Sequence, residues 1–175
     1  MPLLLVILAL TPVADWKQDV CSGDRVYGRY VNYAVGFSVG IPRDLKGRRT
    51  RVSGPERGVT ILLSRDCAGV LRFDGEPNSV QYATTSIAAS ELAGDTKDRG
   101  GFIFRSYKIR MGRLSASGVT IHYRDSQDIE DVVVAFRPRG GLMYTAHLGT
   151  VAARYGHDRK RFVDALRGFR LEPWR

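Results

Sequence analysis

The sequence predicts an α+β fold, one domain in which an antiparallel β-sheet is sandwiched by helices. Three observations carry this expectation. Short apolar stretches, alternating or continuously β-branched, recur along the chain between clusters of Gly, Asp, Asn and Pro, which is the pattern of a strand meander. Helical stripes are few by comparison. A chain of 175 residues, 43% hydrophobic and 10% aromatic, suits a single packed core, and no linker or repeat divides it.

Met1 to Ala14, MPLLLVILALTPVA, resembles a secretory signal peptide: an eight-residue apolar run (Leu3 to Leu10) is followed by small residues before Asp15. The run is too short to span a bilayer, which takes about 20 apolar residues. No second segment offers an anchor. The domain therefore runs over residues 15–175, with the cut placed near Ala14. Pro12 and the lack of Lys or Arg before the run leave the cleavage site open. Cys21 follows Gln18, Asp19 and Val20, unlike the modified cysteine of a lipoprotein.

The chain holds only two cysteines, Cys21 and Cys67, and in an oxidising compartment such a pair is most simply a disulfide. It would tie the N-terminal arm to the domain, worth about 4 kcal/mol in the chain-entropy account. The alternatives are two buried thiols or a catalytic Cys67 near a histidine.

Tyr30 to Pro42, YVNYAVGFSVGIP, reads as one buried strand closed by proline. Phe37, Val39 and Ile41 alternate with Gly36, Ser38 and Gly40, so one face is bulky and the other bare, shaped for a helix to pack closely. The same residues spell G-x-S-x-G, the serine elbow of esterases. An elbow needs a helix straight after the serine, whereas Val39 to Pro42 continue the strand alternation. Ser38 is thus read as a strand serine.

Strands are expected at Val59–Leu63, Val70–Phe73 and Val80–Ala83, with a turn at Asp74–Asn78. Thr85 or Ser86 caps a short helix with Ile87, Ala88 and Leu92 as its apolar residues. Phe102–Met111, Val119–Tyr123, Val132–Phe136 and Leu142–Leu148 follow as strands, the later ones separated by Gly118, the acidic turn Asp125 to Asp131, and residues 137–141. Asp158 then caps a helix carrying Phe162, Val163 and Leu166, with Gly168 near its C-cap and a short strand around Phe169 and Leu171.

The net charge is +9 and the pI about 9.9, from 22 Arg and 5 Lys against 18 acidic residues. The arginines are scattered. Two clusters stand out: Arg48, Arg49 and Arg51, with Arg57 nearby, in the loop after Pro42, as anion-binding candidates, and Arg105, Lys108, Arg110 and Arg113, alternating with Tyr107, Ile109 and Met111 on an expected strand, as a solvated strand face. Stacking aromatics at the spacing of single-strand binders are not evident, so nucleic acid is disfavoured as partner.

The motif Y-x-N-x-x-x-G-F-S-x-x-x-P (Tyr30, Asn32, Gly36, Phe37, Ser38, Pro42) resembles the opening of PsbP-like proteins. The end is similar too: a glycine turn, the strand Leu142-Met143-Tyr144-Thr145, then a helix with Phe162 and Leu166 running into Phe169. Gly168 stands where that family usually has serine, and an aromatic after the proline is missing. The resemblance implies an α/β/α sandwich and an exported accessory domain. It carries over no functional residue.

His122, His147 and His157 show no i, i+4 pair and no nearby cysteine, and the acids Asp125, Asp128, Glu130 and Asp131 lack the D-x-D-x-D-G calcium pattern, so neither metal nor cofactor is expected. The reading is an exported, periplasmic or extracellular, non-catalytic binding module whose partner is an envelope protein or an anionic cell-surface component. The alternatives are a small serine hydrolase using Ser38, Asp125 and His147 or His157, and a binder of anionic surface or nucleic acid.

Overall fold

The computed structural model describes residues 24–50, 58–65, 67–138 and 141–173. The leader Met1–Ala14, Cys21, Arg51 and Arg57 lie outside them. The described chain runs β1 (Arg25–Val26), β2 (Arg29–Asn32), β3 (Phe37–Gly40), β4 (Lys46–Thr50), β5 (Gly58–Leu62), β6 (Val70–Pro77), α1 (Thr85–Gly94), β7 (Gly101–Met111), β8 (Leu114–Tyr123), β9 (Asp128–Phe136), β10 (Leu142–Val151), α2 (Tyr155–Gly168) and β11 (Arg170–Leu171). Eight strands form an antiparallel sheet in the order β1-β4-β5-β6-β10-β9-β8-β7, and β11-β3-β2 form a small second sheet.

The continuous apolar run in β9 shows why the sheet is covered on both faces. Alternate residues of a strand point to opposite sides. Val132 and Val134 pack with Ala88, Ala89 and Ala93 of α1, together with Val119, Ile121 and Met143. Val133 and Ala135 join the larger core with Phe162 and Leu166 of α2 and Phe37 and Val39 of the small sheet. The result is the expected single-domain α+β sandwich, with one face shared between α2 and the second sheet.

Several expected boundaries move. Tyr30 to Pro42 is a hairpin, not one strand, because Asn32 turns the chain: its Oδ1 accepts from the N–H of Ala34 at 3.0 Å and of Val35 at 3.3 Å, and Gly36 takes a left-handed φ of 64°. Phe37, Val39 and Ile41 do point into the core. The glycine face is not packed by a helix, since a Cβ at Gly40 would meet nothing within 4 Å. The expected turn at residues 74–78 is the end of β6, and residues 80–83 form a loop held by Asn78, whose Oδ1 accepts from the Tyr82 N–H at 3.0 Å.

Helix α1 is capped by Thr84, not Thr85 or Ser86, and its inner face is made of alanines while Ile87 is exposed. Asp158 is no cap either. It lies fully buried within α2, accepting from Thr150 Oγ1 at 2.6 Å and pairing with Arg154 at 3.3 Å. Gly118 sits mid-strand in β8, and Arg48 and Arg49 lie on β4 and not in a loop.

Candidate interaction site

Strand β7 ends the large sheet. Among the described residues it pairs only with β8, so one row of its backbone N–H and C=O groups faces away from the sheet over eleven residues. The opposite edge, β1, has two residues. Short edge strands resist pairing with other chains, and long ones invite it.

The β7–β8 hairpin closes in a two-residue turn, Met111 pairing with Leu114 and Gly112 holding a φ of 57°. A side chain at Gly112 would collide with the Phe169 carbonyl, so glycine seats the turn against the end of α2. Between residues 101 and 124 lie Arg105, Lys108, Arg110, Arg113 and Arg124 and not one Asp or Glu.

A bulge sets which residues share a face. The register with β8 slips between Ile103 and Arg105, with Phe104 as the extra residue. Phe102 and Phe104 both approach the His122 ring, at centroid distances of 6.0 and 4.5 Å, and Arg124 lies 5.9 Å over Phe102. Arg105 and Tyr107 share that face. Beyond the bulge, Lys108 turns to the α1 side and donates to Ser117 Oγ at 2.9 Å. Three consecutive apolar residues stay out of the core: Phe102 is 42% exposed, Ile103 40% and Phe104 62%. Such a cluster on an edge is uncommon in a protein that works alone.

Beneath this edge a polar network ties β7 to α2. Asp131 on β9 is fully buried and accepts from Thr120 Oγ1 at 2.5 Å and from the Tyr155 hydroxyl at 3.1 Å, and Arg159 lies 3.3 Å from it. Arg105 donates to Thr120 Oγ1 at 3.0 Å and to the Tyr155 hydroxyl at 2.9 Å. Arg159 alone pairs with the carboxylate, whereas Arg105 reaches it only through the two hydroxyls, so the Arg105 charge is left without an ion-pair partner among the described residues. Tyr107 lies between Arg105 and Arg159, each about 5.4 Å from its ring, over the bare backbone of Gly118. Burial, reinforced by the Asp131 charge, pushes the Tyr107 hydroxyl well above the usual phenol range.

At the far end of β7 a cavity of about 650 Å³ opens among Met111, Gly112, Arg113, Arg167, Phe169 and Arg170. Arg167 is met by Asp164 at 2.9 Å.

Of the residues singled out from sequence, the cluster Arg105, Lys108, Arg110 and Arg113 falls at this edge, on β7 and its turn, and the others do not converge. Ser38 is the middle of β3, paired with Val31 of β2 and Arg170 of β11, so the G-x-S-x-G match forms no elbow. Its hydroxyl donates to Glu172 Oε1 at 2.6 Å and accepts from Arg29 Nε at 3.0 Å. Asp125 lies in the β8–β9 turn, His147 in β10 and His157 on α2, so the supposed triad is spread over separate elements. Burial lowers the His147 pKa, and the exposed His157 ring contacts Asp158 at 3.1 Å. Arg48 and Arg49, as neighbours on β4, turn to opposite faces, near the other end of the sheet from β7. The acidic turn is shorter than expected, because Asp128 to Asp131 belong to β9.

No family model and no curated protein matches the sequence. Among solved structures, the solution structure of cyanobacterial PsbP from Synechocystis matches with a TM-score of 0.57 at 14% identity, covering 86% of this chain and 94% of that one. The fold is PsbP-like. The Saccharomyces cerevisiae Ran-binding protein Mog1p matches the PsbP-like domain with a TM-score of 0.58 at 10% identity, over 87% of this chain and 97% of that one. At these identities the likeness shows the fold alone. The exposure of Phe102 to Phe104 and the Asp131 network of this PsbP-like domain were not singled out from sequence, because an apolar triplet reads alike on an edge and in a core, and Asp131 sat in what looked like a solvated turn.

Proposed function

We propose that this PsbP-like domain is an exported, non-catalytic accessory module that binds a protein partner in the cell envelope. The observation that carries the reading is the long open edge β7, with Phe102, Ile103 and Phe104 exposed beside unmatched cations. One protein of the same fold is a Ran-binding protein, which makes protein binding a use to which this architecture is put. Against a hydrolase stands Ser38, locked in mid-strand by Arg29 and Glu172.

Export rests on the leader-like Met1–Ala14 segment and on the cysteine pair. That pair is the even count itself, since the chain has only Cys21 and Cys67. Among the described residues no helix is long and apolar enough to cross a membrane.

A photo-crosslinking residue at exposed positions around the domain, Phe104 and Tyr27 among them, tests the binding role in the producing cell. A discrete protein adduct in the envelope fraction is expected. Adducts to lipid or nucleic acid alone, or none from any position, would overturn it. Intact mass of protein from the periplasm should show the leader gone and two hydrogens missing, whereas two alkylatable thiols without reduction would remove the bridge. Labelling of Ser38 by a fluorophosphonate would restore the hydrolase.

A further inference from the structure

We propose that β7 is a docking edge for an acidic, extended segment of the partner protein, which joins the large sheet as an added strand beyond β7. This rests on the binding-module reading above and says what kind of segment binds and where.

The backbone supplies the first part of the argument. From Arg105 to Met111 the register with β8 is unbroken, so the outward groups of that stretch are regularly spaced for another antiparallel or parallel strand. Strand addition draws affinity from such main-chain hydrogen bonds and specificity from alternate side chains. The bulge at Phe104 and the cations are also what a protein uses to discourage pairing. A purely protective edge, however, would not expose Phe102, Ile103 and Phe104 together at its start.

The side chains supply the second part. Phe102 and Phe104 lie on the α2 face of the edge, and Ile103, opposite Ile121, on the α1 face. Apolar groups on both faces suit a strand, whose own side chains alternate between them. They suit a nucleic acid poorly, since stacked bases need one flat face, and His122 and Arg124 already cover parts of the two rings. Further along, Lys108 and Arg110 on one face follow Arg105 on the other. None of the five cations between residues 101 and 124 forms an ion pair with a carboxylate among the described residues. Arg113, Arg167 and Arg170 continue the positive potential at the cavity beyond Met111.

Charge also decides against a second copy as occupant. Two β7 strands laid side by side would bring together six cations, three from each, with no acid in either strand. A segment with carboxylates at alternate positions and an apolar end fits instead.

Amide hydrogen exchange of the full domain tests this with a synthetic peptide alternating glutamate with valine. Two controls are a peptide with lysine for glutamate and the acidic peptide N-methylated at alternate backbone nitrogens. The acidic peptide should slow exchange along β7, and both controls should fail. Lys108→Glu with Arg110→Glu, and separately Ile103→Ser with Phe104→Ser, should each weaken binding about tenfold or more. All four positions are exposed, so far-UV spectra, and melts taken at high salt, should stay close to the parent. The proposal is overturned if the N-methylated peptide binds equally, if protection maps elsewhere or is absent at millimolar peptide, or if an oligonucleotide or an anionic vesicle protects β7 as well as the peptide does. It also fails if β7 protection arises from self-association. Protein adducts obtained only from positions outside β7 would sink the docking edge and leave the accessory function standing. The absence of any adduct beside clear β7 protection would do the reverse.

Discussion

Gly118 and Gly40 are both strand glycines, and their surroundings make opposite demands. A Cβ at Gly118 would stand 2.5 Å from the Tyr107 ring, which is itself held between two arginines, while at Gly40 it would meet nothing within 4 Å. Gly118→Val should therefore cost about 1–3 kcal/mol through overpacking. Gly40→Val should stay within about 0.5 kcal/mol of the parent. Thermal melts of both decide, and the reverse order would mean that the small sheet packs more tightly than its geometry shows. A second residue-scale expectation concerns His147. Burial lowers its pKa in the folded state, with Asp74 and Glu130 opposing the shift and Arg72 adding to it. A depressed histidine binds its proton more readily in the unfolded chain, so its share of stability is whole above about pH 6.5 and is lost as pH falls below that. Urea midpoints should drop across this window, and His147→Gln should flatten the drop. An unchanged slope would assign the acid sensitivity to other groups.

At the scale of elements, the long strands were legible because each is marked by local residues. β9 and β10 are β-branched or apolar runs long enough to be buried on both faces, and α2 carries Phe162 and Leu166 a turn apart. What was not legible depends on side chains bonding backward or on neighbours distant in sequence. Asn32 turns Tyr30 to Pro42 into a hairpin, and a lone asparagine between apolar residues does not announce that. Asp158 resembled a cap until Thr150, Arg154 and the burial of its carboxylate placed it inside the helix. The exposure of Phe102 to Phe104 follows from strand order alone, since β7 is last in a sheet whose sequence neighbours could have flanked it on both sides. The hairpin is testable as an element. Asn32→Ala removes the acceptor for two backbone N–H groups and the donor to the Tyr30 hydroxyl, and should cost about 2 kcal/mol. Asn32→Asp keeps the turn acceptor and should recover part of that loss. Equal destabilisation by both would show that the amide nitrogen, not the turn, matters most.

For the whole molecule, the excess of nine positive charges sets a balance between two effects of salt with opposite sign. Exposed ion pairs such as Arg161 with Asp44 and Arg167 with Asp164 weaken as salt rises, but each contributes under about 1 kcal/mol. Asp131 and Asp158, out of contact with solvent, respond little. Repulsion among the remaining cations is long-ranged at low salt and largely screened at a Debye length of about 10 Å, near 0.1 M. The hairpin from residue 101 to 124 concentrates that repulsion, because five cations share it with no acid. Melting temperature should therefore rise from low to physiological ionic strength. Lys108→Glu with Arg110→Glu should raise it at low salt and leave it nearly unchanged at high salt, so the gap between variant and parent closes as the Debye length shrinks. A melting temperature that falls with salt in the parent would mean that the surface ion pairs outweigh the net charge. A gap that persists at high salt would mean that the two substitutions act through packing or strand propensity, not through the field of the molecule.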